Sequence, residues 1–175
     1  DKMRLRVGRR DHLTLAKVRV VGRSHNFTPP SPTYPLDANL ANKARLVGYD
    51  LTVSSPIRPS STITLTLYWC AEALMDTPYT VFVHLLDGEG RFRGQDDSPP
   101  GGGEFPTTSW VPGEYLIDEH HFQISAEAEP GSHVLEIGLY DPATGARLPL
   151  VDEQGNVIGD RLLLEETPVV IERGD

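Results

Sequence analysis

"STITLTLYW", residues 61–69, alternates without a break: Ile63, Leu65, Leu67 and Trp69 carry one character, Thr62, Thr64, Thr66 and Tyr68 the other. Successive side chains of a strand point to opposite faces, so a period of two over this length predicts an extended segment with one face in a core and the other toward water. An α-helix would scatter these apolar residues around its whole circumference.

The same pattern recurs outward from this stretch. "YTVFVHLLD" (79–87) sets Val81, Val83 and Leu85 against Phe82, His84 and Leu86, and "DGEGR" after it supplies Gly88 and Gly90 for a hairpin reversal. Further strands are predicted in residues 44–53, 114–124, 133–141 and 160–172, and one begins near Arg91. Turn signals separate them: Pro56 and Pro59, Pro130-Gly131, Asp141-Pro142 with Thr144-Gly145, and Gly155-Asn156. No window repeats apolar residues at three and four, so no helices are available to cover a parallel sheet. The predicted fold is all-β, an antiparallel two-sheet β-sandwich of immunoglobulin-like or jelly-roll type. In residues 114–124, Tyr115 and Ile117 have one parity and Phe122 and Ile124 the other. That predicts either a β-bulge around Glu119 to His121 or a strand that crosses between sheets.

Residues 23–42 hold four prolines and no alternation, and read as a linker or as a loop wrapped along the sandwich. "DHLTLAKVRVV" (11–21) can be laid on "DRLLLEETPVV" (160–170) at constant offset. Two readings follow: residues 1–22 as the closing strand of a preceding repeat, or two amphipathic strands alike in composition. The expected organisation is residues 1–22 as that closing or edge strand, 23–35 as a Pro-rich linker and 36–172 as the sandwich module. A charged opening at Asp1 suits a piece of a longer polypeptide.

Composition narrows the function. With 16 Lys and Arg against 25 Asp and Glu, a net charge of -9, the chain lacks the basic surface that a phosphate backbone needs, so no nucleic-acid partner is expected. Apolar runs as short as Val169 to Ile171 give no membrane insertion by this segment. One cysteine, Cys70, allows no internal disulfide and carries no signature of an activated thiolate.

Few residues carry chemistry. Asp96 and Asp97 are neighbours, so on an extended segment they point to opposite sides, poor geometry for shared acid and base work. Asp87, Asp96, Asp97 and Asp118, with Glu89, are the candidate oxygen ligands of a Ca²⁺ site, although no EF-hand spacing is present. His120 and His121 likewise face opposite ways on a strand, and neither Cys nor a third His sits at zinc-ligand spacing. No nucleophile elbow, Walker loop or dinucleotide fingerprint occurs. In "QDDSPPGGGEFPTTSWVPGE" (95–114), Trp110 stands beside a turn. It is either a lid on the end of the core or an exposed platform for a sugar ring.

"LVGYDL" (46–51), "LTLYW" (65–69), "YTVFVHLLDGEGR" (79–91), "QDDSPP" (95–100), "PTTSW" (106–110), "PGE" (112–114) and "GLYDPATGARLPL" (138–150) together resemble a bacterial β-sandwich module. Such modules form the C-terminal, extracytoplasmic ends of membrane proteins similar to dolichyl-phosphate-mannose-type glycosyltransferases, notably in Chloroflexi-like bacteria. The resemblance spans about residues 36–172. It implies an extracytoplasmic place on a larger membrane-associated protein and assigns no catalytic residue to the sandwich.

The expected function is therefore a non-catalytic accessory module of a cell-envelope protein, presenting loops to a glycan, a protein or a sister repeat. The alternatives are a carbohydrate-binding domain that uses Tyr68, Phe82, His84 and Tyr140 or the Trp110 loop, and a hydrolase that uses carboxylates such as Asp96 and Asp118.

Overall fold

Period-two alternation becomes eleven strands in the computed structural model, which describes residues 22–173. In chain order they are β1 (Tyr34–Leu40), β2 (Ala44–Val53), β3 (Thr62–Ala71), β4 (Thr80–Leu86), β5 (Phe92–Ser98), β6 (Tyr115–Gln123), β7 (Gly131–Tyr140), β8 (Leu150–Val151), β9 (Val157–Gly159), β10 (Leu162–Leu163) and β11 (Val169–Ile171). One sheet runs β6-β3-β2-β1-β8-β9 and the other β10-β7-β4-β5, with β11 also on β7. Every pairing is antiparallel. The molecule is an all-β, two-sheet sandwich.

The inner faces are the ones the alternation marks. Ile63, Leu65, Leu67 and Trp69 of β3 meet Val81, Val83 and Leu85 of β4 and Leu135, Ile137 and Leu139 of β7, all buried in one cluster. Each such side chain taken from water contributes about 1.5–3 kcal/mol. Strand β4 is buried on both faces, because its outer residues Phe82, His84 and Leu86 are covered as well. That second burial layer is where the candidate site lies.

Three expectations need correction. No bulge or sheet crossing occurs in β6: its register with β3 is continuous from Thr62 opposite Gln123 to Cys70 opposite Tyr115. The inward residues are Leu116, Asp118, His120 and Phe122, while Ile117 is 54 % exposed. Two polar residues sit inside because they bond each other, and that inverts the apparent parity. Residues 23–42 are not wholly loop, since β1 lies within them, pairing β2 and β8 with an irregularity between Pro35 and Ala38 that hides its alternation. The predicted strand 160–172 splits into β10 and β11, with Pro168, which has no N–H to donate, between them.

Upstream of β1 the chain is tied down. The Arg23 guanidinium pairs with both oxygens of the buried Glu114 and donates to the Ser109 carbonyl at 3.0 Å. His25 Nδ1 stands 3.0 Å from Glu114, and the Tyr115 amide donates to the Asn26 carbonyl at 2.7 Å. The repeat reading of residues 1–22 falls, but for Gly22, outside the described residues.

Candidate functional site

The outer face of β5, β4 and β7 carries the richest arrangement. Register places Asp97, Phe82 and Gly138 in one cross-strand row. The Phe82 ring lies down over Gly138, where a Cβ would come within 2.6 Å of Phe82 Cε1, so only glycine admits the ring. The Arg147 guanidinium then rests on that ring, 4.2 Å from its centroid, and leaves Phe82 just 1 % exposed. Tyr140 stands 6.3 Å away, and His84 stacks against Phe82 with ring centroids 5.0 Å apart.

His84 links two carboxylates. Its Nε2 is 2.9 Å from Asp97 Oδ1 and its Nδ1 is 3.0 Å from Glu136 Oε2. Glu136 is buried on β7, and its Oε1 also accepts from Arg147 Nη1 at 3.0 Å and Arg161 Nη1 at 3.2 Å. Burial works to raise the Glu136 pKa, yet the hydrogen bonds from His84 and Arg147 and the Arg147 charge outweigh it, holding the group below its ordinary range. Above this floor opens a groove of about 310 Å³ lined by Phe82, His84, Asp97, Tyr140, Gly145 and Arg147. Gly145 closes a turn built on Asp141, with φ +74° and nothing within 4 Å of where a Cβ would sit, so the rim stays open.

A second polar cluster lies inside the sandwich, where β5 meets β6. His120, 0 % exposed, has Nδ1 3.1 Å from Asp96 Oδ2 and Nε2 3.0 Å from Asp118 Oδ2. Asp118 also accepts the Gly101 amide at 2.7 Å and the Trp69 indole at 3.3 Å. Burial pulls the His120 pKa down most strongly, but hydrogen bonds and charges from Asp118 and Asp96 outweigh it, and the net shift is upward. Asp96 and Asp97 do point to opposite faces, one to each cluster. Asp118 is as buried as His120, so the Asp96 and Asp118 pair named for a hydrolase meets at a sealed imidazole that no substrate reaches.

The carboxylates named for calcium also part company. Asp87 sits in the β4–β5 hairpin, bonded to the Glu89 and Arg91 amides and paired with Arg91 and Arg93 at 2.9 Å. Asp96 and Asp118 face His120, and Asp97 faces His84. Among the described residues no three His, Cys, Asp or Glu side chains are placed to hold a metal ion. His121 faces outward, 3.0 Å from Thr64 Oγ1 and 2.8 Å from Glu119 Oε1, away from His120. Burial pushes the Cys70 thiol pKa up, which suits an inert core cysteine.

Of the aromatic candidates, Phe82, His84 and Tyr140 come together, and Tyr68 and Trp110 do not join them. Tyr68 faces outward from the six-stranded sheet, on the other side of the sandwich, with its hydroxyl donating to Asp50 at 2.6 Å. Trp110 is 0 % exposed, its indole donating to the Phe105 carbonyl at 2.8 Å and its ring 6.3 Å from Trp69. It is the lid and not a stacking platform. Sequence reasoning missed Glu136, Arg147 and Arg161. Glu136 shares the parity of Tyr140 along β7 and was within reach; the two arginines lie outside the strands and carry no periodic signal.

No protein-family model matches the chain, and no curated protein matches it. Among solved structures it is similar to the C-terminal domain of Wzt, at 10 % identity over 83 % of this chain and 84 % of that one, with a TM-score of 0.47. So distant a likeness assigns no role to any residue.

Proposed function

We propose that this chain is a non-catalytic carbohydrate-binding module, an accessory part of a larger protein on the extracytoplasmic side of the cell envelope. The envelope setting rests on the sequence resemblance. The binding reading rests on one observation: the groove over Phe82 combines a half-buried Tyr140 ring with two charged hydrogen-bonding groups on a rigid sheet face, Asp97 at 30 % and Arg147 at 27 % side-chain exposure. Sugars present apolar C–H faces edged by hydroxyls, and small polar grooves with an aromatic wall complement them. A non-catalytic role is favoured because the interior His120 cluster is sealed, and because both ring nitrogens of His84 already face carboxylates.

The test is NMR titration of the full 175-residue chain with mannan, galactan, dextran and alginate oligosaccharides. Shift changes centred on Tyr140, Gly145 and Arg147, and lost in Gly145→Asn, support the reading. Asparagine tolerates positive φ and pushes a side chain toward the open rim. Absence of any shift with all four glycans, or shifts centred elsewhere, overturns it. Indole fluorescence is the wrong readout, since Trp69 and Trp110 are both buried.

A further inference from the structure

We infer that the groove is built for a neutral sugar, gripped through two adjacent hydroxyls; this rests on the carbohydrate reading above and gives it a ligand class. Asp97 forms one wall and commits Oδ1 to His84. Among the described residues its Oδ2 has no hydrogen-bond partner. Arg147, lying on the Phe82 ring beside it, commits Nη1 to Glu136, while its Nε and Nη2 have no partner among the described residues. The groove therefore offers an acceptor that cannot donate and a donor that cannot accept. A vicinal diol answers both at once, one hydroxyl donating to the carboxylate and its neighbour accepting from the guanidinium. The Tyr140 ring takes the C–H face between them.

Charge decides against an acidic sugar. The guanidinium groups of Arg147 and Arg161 both turn to Glu136 Oε1, so much of their positive charge is already answered beneath the groove. The Asp97 carboxylate has one oxygen unanswered at the wall. A uronate carboxylate or a sulfate entering the groove meets that oxygen as a like charge in partly desolvated surroundings.

Galactan and polygalacturonate oligosaccharides of equal length test this by calorimetry on the full chain, because their rings differ chiefly in a hydroxymethyl or a carboxylate. The galactan is expected to bind at least about tenfold more tightly, the scale of one charge-assisted hydrogen bond. Asp97→Asn keeps a carbonyl toward His84 but removes the charge. It is expected to weaken galactan binding by about tenfold and to narrow the gap between the two ligands. Equal or tighter binding of polygalacturonate in the same groove, or tighter galactan binding by the Asn variant, overturns the neutral-diol inference and leaves the carbohydrate reading standing. If neither these nor the glycans named above bind, both fall together.

Discussion

Replacing Asp118 by alanine is the most severe test of the interior cluster. The carboxylate accepts three hydrogen bonds, from the Gly101 amide at 2.7 Å, His120 Nε2 at 3.0 Å and the Trp69 indole at 3.3 Å. His120 and Trp69 are buried and Gly101 is partly so, and alanine supplies none of the three with an acceptor. An orphaned buried donor costs about 1–3 kcal/mol, with the long Trp69 bond at the low end of that range. Losing the counter-charge of a buried pair costs about 3–5 kcal/mol in total, and the two routes agree on a loss of that size. A single domain is stable by about 5–15 kcal/mol, so the variant sits near the edge of folding. Urea unfolding followed by the fluorescence of Trp69 and Trp110, both in the core, measures the loss. The exposed neighbour Glu119→Ala is the control and is expected to move stability by no more than about 0.5 kcal/mol. The double variant Asp118→Leu with His120→Leu is expected to recover only the part of the loss that belongs to the stranded His120, because the Gly101 amide and the Trp69 indole still lack an acceptor. A cost below about 1 kcal/mol for Asp118→Ala would refute the claim that this carboxylate anchors the seam.

Three further outcomes follow from the same geometry. His120 titrates above its ordinary value of 6.5 in the folded chain, so the stability it contributes is complete below that value and is lost as pH rises through the folded-state pKa. The stability difference between the native chain and His120→Gln, read by urea titration, is therefore expected to shrink as pH rises above 6.5 and through the folded-state pKa; a difference that grows with rising pH contradicts the assignment. Trp110→Ala removes the lid and its bond to the Phe105 carbonyl, and is expected to cost about 3–5 kcal/mol by the same unfolding measurement. Gly138→Ala brings a methyl group against the Phe82 ring and is expected to cost about 1–3 kcal/mol while displacing Arg147, visible as a shift of its side-chain NMR signals; an unshifted Arg147 signal would mean that Phe82 is not held in place by this close approach.

The sandwich was legible wherever polarity and burial agree. Strand β2 runs from Ala44 to Val53 as the residue pattern implies, and β3 and β4 face inward with the residues their alternation selects. It was illegible wherever a polar residue is buried because it has found a partner. Asp118 and His120 occupy core positions of β6 by bonding each other, and a parity rule that sorts polar residues outward then misplaces Tyr115 and Ile117. Short strands such as β8 and β9 offer too few residues for any period to show. The candidate site divides in the same way. Phe82 and His84 share a face by simple alternation, but whether Tyr68 shares it depends on which sheet β3 joins, and local pattern does not encode that. Arg147 reaches the site by tertiary packing from beyond β7, and the adjacency of Asp97 to Phe82 comes from strand register.

The two rims of the six-stranded sheet are unequally defended. Along β6 the Tyr115 and His121 amides are already engaged, by the Asn26 carbonyl and by Asp96, and ionisable side chains point inward, an arrangement that resists recruitment of a foreign strand. At the far side β9 shows Val157 and Ile158 to solvent with no strand beyond it among the described residues. Overgrowth of the ladder from molecule to molecule in concentrated solution would therefore be seeded at β9, and a lysine at Val157 is the economical place to blunt it.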